Sequence, residues 1–238
     1  MPSFPDFGKR PAANRRERGF TLVELLVVIV IVGVLIGILL PVMGKTSKSV
    51  RATKASNQLR NIGVAVLIYA GENNKTLPEL VDLNESGGFG ANYWTTRITP
   101  YLSPAVKGGW IDFQNKTFTL SSTFVSPLLK DGQHHPLGDF GANRDVLRHT
   151  VGPRRLSEFP QPGRTVLVAT AETRTRELPN GSWFFETYDY INNPAKKIQM
   201  PSDHGTGNVL AVFVDGHVAQ IPLRTFEENR RELLLVNP

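Results

Sequence analysis

The 238-residue sequence contains no cysteine. That excludes disulfides and any zinc site built on thiolates, and it leaves the redox compartment open. No Gly-x-Ser-x-Gly elbow, phosphate loop, dinucleotide fingerprint or His-Glu-x-x-His pair appears, so the motif-bearing hydrolase, nucleotide-binding and zincin classes have no support. We expect no enzymatic activity. No internal repeat is present, which excludes solenoids and propellers. Acidic residues are missing from the whole of 41–60. The net charge of +6 is modest, and residues 1–19 carry half of it, with five basic and two acidic side chains. A basic leader plus a solvated surface accounts for it, and no nucleic-acid partner is expected.

The dominant positive feature is Arg18-Gly19-Phe20-Thr21-Leu22-Val23-Glu24-Leu25-Leu26, which opens an apolar run that continues to Leu40. Between Phe20 and Leu40 only Thr21, Glu24 and two glycines interrupt it. As a helix, about 21 residues at about 1.5 Å each span roughly the 30 Å of a bilayer core. A secretory signal peptide also has a basic start, but its apolar stretch is usually only about 7–15 residues. The carboxylate of Glu24 is costly in hydrocarbon, and such a group usually meets a cationic partner. Gly33 and Gly37 allow close helix approach. The leader, with Pro2, Pro5 and Pro11, has no hydrophobic periodicity.

This stretch resembles the cleavage and methylation signal of type IV pilins and type II secretion pseudopilins. The basic leader, Gly19, Phe20 and Glu24 match, and Pro41 falls where those helices often carry a kinking proline. The resemblance implies that prepilin peptidase cuts between Gly19 and Phe20 and that the new N-terminal Phe20 is methylated. Glu24, fifth residue of the mature chain, would neutralise the N-terminal amine of an adjacent subunit during filament assembly. The implied partners are prepilin peptidase, identical or related subunits and the inner-membrane platform of the assembly machinery. The implied location is a single pass of the bacterial inner membrane, with the leader cytoplasmic and the head periplasmic, or extracellular once assembled.

Beyond Pro41 the helical pattern resumes. Lys45, Lys48, Arg51 and Lys54 form a basic stripe suited to anionic lipid heads, acidic neighbours or plain solvent. Ala55, Leu59, Ile62, Val66 and Tyr69 repeat at 4-3-4-3 spacing, an amphipathic face that must cover something. These patterns predict one helix from about Phe20 to Ala70, ending near Gly71, and a division into leader 1–19, transmembrane helix 20–40, helix extension 41–71 and head 72–238.

In the head, Trp94 to Leu102 resembles the short helix ending in Pro-Tyr-Leu of many such proteins. Trp110 to Thr119 is expected to hold a strand with a turn at Asn115-Lys116, and Thr165 to Ala171 a buried strand. Asn180-Gly181 is expected to turn into an aromatic strand at Trp183–Phe185. Asn208 to Val214 and His217 to Ile221 flank Asp215-Gly216, the pattern of a type I′ hairpin. Thr225 and Glu228 have capping-box spacing for a last helix. His134-His135 reads as an exposed loop. Many prepilin-like proteins end in His-x9-Asp-Gly followed by His-Val. Here ten residues separate His204 from Asp215-Gly216-His217-Val218. Gly138-Asp139-Phe140-Gly141-Ala142-Asn143-Arg144 is similar to the family's Tyr-Gly-x-Asn segment, and Phe124-Val125-Ser126-Pro127 to its Phe-x-Cys-Pro, with Ser126 for cysteine.

Asp203, His204, Asp215 and His217 are the candidate metal residues, an oxygen- and imidazole-rich set suited to calcium or zinc if the hairpin converges them. The simpler expectation is no cofactor, with Asp215 serving the turn. The fold class expected is α+β: a long N-terminal helix, its first half transmembrane, packed on a small antiparallel sheet. The function expected is a structural subunit of a type IV pilus-like or type II secretion pseudopilus filament. The alternatives are a membrane-anchored binding or enzymatic domain that uses the signal only for export, and an ordinary signal-anchored periplasmic enzyme.

Overall fold

A computed structural model of the chain describes residues 21–81, 93–102, 111–112, 117–118, 121–135, 137–148, 152–174, 179–192 and 199–237. The leader, Gly19 and Phe20 lie outside them, as do the side chains of 39–46, Pro41 and Lys45 included. The chain divides into two compact units, residues 1–45 and 46–238.

Helix α1 runs Leu22–Glu72 and belongs to both units. Over residues 22–38 its exposed surface is apolar on every side apart from Glu24. Every large apolar side chain from Leu22 to Ile38 is at least 46% exposed, and nothing lies within 4 Å of where Gly33 or Gly37 would carry a Cβ. Among the described residues no helix is long and apolar enough to cross a membrane. The apolar stretch whose side chains are described, 22–38, is 17 residues, about 25 Å at 1.5 Å per residue.

In the second unit α1 has one buried face. Ala55, Leu59, Ile62 and Val66 are fully buried, as their spacing predicts, and Tyr69 is half-buried. The helix ends at Glu72, next to Gly71 as expected. Gly71 stays helical, and Asn74, with φ of 53°, supplies the left-handed residue that terminates it. The N–H of Lys75 closes that end by donating to the Ala70 carbonyl at 2.8 Å.

The remaining elements are α2 (Trp94–Leu102), β1 (Ile111–Asp112), β2 (Thr117–Phe118), β3 (Phe140–Asn143), β4 (Val166–Arg174), β5 (Pro179–Gly181), β6 (Phe184–Phe185), α3 (Thr187–Asn192), β7 (Gln199–Pro201), β8 (Asn208–Phe213), β9 (Val218–Pro222), α4 (Leu223–Glu228) and α5 (Arg230–Leu234). The fold is α+β, but the main sheet is mixed. Its order is β6-β3-β4-β8-β9, with β5 and β7 paired to the far half of β4, and β3 and β6 run parallel. Strands β1 and β2 form a separate antiparallel pair.

The sheet has two buried faces because β4 and β8 alternate between them. Leu210, Val212 and Val214 join Leu59, Ile62 and Val66 of α1 in one core. Val209, Ala211 and Phe213 join Phe226, Leu234 and Tyr190 of the C-terminal helices in the other. A register shift between Val166 and Val168 lets Leu167 and Val168 both enter the first core.

Close approach of α1 to the hairpin requires glycine. A Cβ on Gly63 would stand 2.6 Å from Val212 Cγ2. Gly63→Ala is expected to destabilise the head by roughly 1–3 kcal/mol through overpacking, read as a lower denaturation midpoint. An unchanged midpoint would show that α1 can move off the sheet freely.

Three local expectations are corrected. Asn180-Gly181 is not a turn but lies in β5, paired with Thr173 and Glu172. The glycine is there because a Cβ at 181 would sit 1.9 Å from Asp139 Oδ1. The β8–β9 connection is not type I′, which needs positive φ at two positions. Only Gly216 (φ 90°) is left-handed. The Gly216 N–H donates to the Phe213 carbonyl at 2.9 Å and the Phe213 N–H to the His217 carbonyl at 2.9 Å. This is a type I turn followed by a left-handed glycine. Thr225 does not cap: α4 starts earlier, at Leu223 after Pro222, and leaves Thr225 inside it.

Candidate functional site

The N-terminal stretch is organised by Glu24. Thr21 precedes the first helical residue and Glu24 lies three positions on, the spacing of a capping box. The box is formed. The Thr21 N–H donates to Glu24 Oε2 at 2.9 Å, the Thr21 hydroxyl donates to the same oxygen at 2.8 Å, and the Glu24 N–H donates to Thr21 Oγ1 at 3.3 Å. The carboxylate is therefore turned back toward the start of the helix. It is bonded through Oε2, while Oε1 has no hydrogen-bond partner among the described residues. The sequence reading of Glu24 considered only a neighbouring chain and missed this local role, although Thr-x-x-Glu is visible in the sequence. One oxygen completes the helix start and the other remains able to accept from a cation.

The candidate metal residues are not brought together. Asp203 and His204 precede β8, while Asp215 and His217 follow it, so six strand residues, about 20 Å, separate the pairs. Each carboxylate serves its own loop. Asp203 accepts from the Gly205 N–H (3.0 Å) and the Gly207 N–H (2.9 Å). Asp215 Oδ1 accepts from the His217 N–H (3.1 Å) and faces its Nδ1 at 2.7 Å, with the His217 ring stacked on Phe213. Among the described residues no group of three or more His, Cys, Asp or Glu could hold a metal ion.

His204 instead faces inward. Its Nε2 lies 3.0 Å from the Ala171 carbonyl, and its Nδ1 is buried with no hydrogen-bond partner. Burial pushes its pKa below the ordinary 6.5, against the Ala171 carbonyl and the charges of Asp139, Glu172 and Asp203. His135 is likewise lowered by burial and opposed by Asp139. Both imidazoles thus take up protons more readily in the unfolded chain. Stability is full at and above about pH 7 and is lost as pH falls from about 6.5 toward the lower folded values. The head is expected to melt several degrees lower at pH 5 than at pH 7, with the slope flattened in His135→Gln/His204→Gln. An equal slope in that variant would assign the loss to other groups.

Asp139, present in sequence only as part of the Gly138–Arg144 segment, is a centre whose role no sequence pattern indicated. Its side chain is fully buried and accepts from the Ser126 N–H (2.8 Å) and the His135 N–H (2.9 Å), with His134 Nδ1 at 2.6 Å. The His134-His135 pair is therefore half-buried and tied to a carboxylate rather than an exposed loop. Asn143, noted in sequence only through the Gly-x-Asn resemblance, is the second hub. Its Nδ2 donates to the Val166 and Leu234 carbonyls (2.9 and 2.8 Å), and its Oδ1 accepts from the Thr187 hydroxyl (2.6 Å) and the Asp145 N–H (3.0 Å). These networks hold strands and helices of the head together.

Residues 14–40 match the family described as the prokaryotic N-terminal methylation motif, which supports a prepilin-type signal in this chain. No curated protein and no solved structure matches it.

Proposed function

We propose that the chain is a structural subunit of a type IV pilus-like or type II secretion pseudopilus filament, cut by prepilin peptidase after Gly19 and methylated on Phe20. One observation carries the reading: fourteen large apolar side chains between Leu22 and Ile38 are exposed on one helix. So large an unbroken apolar surface is unstable in water and marks a segment covered by lipid or by other chains. The methylation motif over residues 14–40 supports the same assignment.

The mechanism follows from the helix start. In lipid, Glu24 Oε2 is satisfied by Thr21 within its own chain. Oε1 accepts the terminal amine of a neighbouring Phe20, and that pair sets the register between subunits, because a shifted neighbour leaves both charges unpaired in a low dielectric. Before assembly the chain sits in the inner membrane with its leader cytoplasmic and its head outside, in contact with the assembly platform. The role is structural, not catalytic.

Processing tests the first step. Co-expression with a prepilin peptidase is expected to shorten the chain by the leader, and Gly19→Val is expected to block the shift, since a side chain at that position obstructs entry of an extended segment into the protease cleft. A chain of full length in the presence of active peptidase would overturn the proposal.

A further inference from the structure

A cavity of about 340 Å³ opens at the C-terminal end of α1. Tyr69, Asn73, Asn74, Thr76, Glu79 and Arg97 of α2 line it, together with the buried Leu77. All belong to the second compact unit, so nothing about the site depends on how the apolar segment is covered.

The rim is built rigidly. Asn74 and Lys75, with φ of 53° and 60°, are two of the three non-glycine residues in left-handed backbone among the described residues. Asn74 is accounted for by the helix end, which needs one such residue. Lys75 is not, and lysine is disfavoured there. It is held from outside. The Leu156 N–H donates to the Lys75 carbonyl at 2.8 Å, and the Leu77 N–H donates to the Arg154 carbonyl at 2.8 Å. Lys75 itself does not line the cavity, but it stands between Asn74 and Thr76, which do, so the held turn fixes both.

The lining chemistry selects a ligand. Arg97 and Glu79 contribute one charge of each sign, so the site has no net charge to attract a lone anion or cation. Asn73 Nδ2 donates to the Tyr69 carbonyl at 2.8 Å and the Thr76 hydroxyl to the Asn74 carbonyl at 3.5 Å, which leaves the Asn73 Oδ1 and the Thr76 oxygen as acceptors and fixes both side chains at the cavity. Tyr69 Oη accepts from Arg97 Nη1 at 3.3 Å, which leaves its own proton free to donate. The Tyr69 ring is braced edge-on by Tyr101, whose hydroxyl donates to Glu72 at 2.6 Å. A fixed aromatic ring beside paired donors and acceptors suits a ligand with an apolar face and a belt of hydroxyls. The volume is at the low end of the roughly 300–1,000 Å³ of small-molecule sites. We infer that this cavity binds a single neutral sugar ring, with Tyr69 against its C–H face and Asn73 and Thr76 on its hydroxyls.

The test uses the full chain in a phosphocholine detergent, because glycoside detergents carry the proposed ligand class. Saturation-transfer NMR is run with methyl α-D-glucoside, methyl β-D-galactoside and N-acetylglucosamine, and with glycine, acetate and phosphate at the same concentration. Transfer to the ring protons of at least one sugar is expected, with affinity reduced about tenfold in Asn73→Ala/Thr76→Val through the loss of two hydrogen bonds. No transfer to any of the sugars overturns the inference. So does transfer that persists undiminished in the folded double variant, or preferential binding of glycine, acetate or phosphate. If the variant does not fold, the comparison of sugars with the charged probes on the parent chain decides alone.

Discussion

Glu24→Gln is expected to abolish filament assembly while leaving cleavage and membrane insertion intact. Glutamine keeps the capping box, since its amide oxygen accepts from Thr21 as the carboxylate does. It removes only the charge. If assembly rests on pairing with a neighbouring amine, the amine is left uncompensated in lipid, and assembled filament falls at least about tenfold. Glu24→Val removes both roles and is expected to do no less. The measurement is the ratio of sheared or pelleted filament to membrane-bound subunit. Normal assembly in the glutamine variant would make Glu24 a helix cap and remove its role between subunits.

Asn143→Ala has the largest expected effect on the head. The residue is fully buried and bonds to four groups that hold β3, β4, α3 and α5 together. Truncation leaves two carbonyls, a hydroxyl and an N–H without their partner. At about 1–3 kcal/mol for each buried group left unmet, with partial relaxation, the loss is roughly 3–5 kcal/mol. For a unit of this size that lowers Tm by roughly 10 °C. Near-ultraviolet circular dichroism of the three tryptophans reads it. A shift of under about 2 °C would mean that water replaces the amide.

The features readable from sequence were those governed by local pattern. The buried face of α1 repeats at helical period, and β8 and β9 are apolar strands on either side of Asp215-Gly216; both formed where the pattern put them, and the described part of the apolar run, 22–38, is helical. Features set by contacts distant in sequence were not readable. Asn180-Gly181 has the composition of a tight turn, yet its glycine exists because the Asp139 carboxylate fills the space where a side chain would be. The role of Asp139 had no signature beyond its place in the Gly138–Arg144 segment, since its partners at Ser126, His134 and His135 are drawn in by the fold. The four candidate metal residues lie close in sequence and on one hairpin, but a strand of six residues stands between the pairs. The parallel pairing of β3 with β6 depends on two short segments separated by β4 and β5, which no local pattern encodes.

Assembly as proposed requires an N-terminus made by cleavage after Gly19 and methylation of Phe20. Intact-mass and peptide mass spectrometry of the chain, recovered from membranes of cells with an active prepilin peptidase, tests it most directly. The expected N-terminal peptide begins at Phe20 and is one methyl group heavier than the unmodified sequence. An intact Met1, or a new terminus near Gly44, would contradict it.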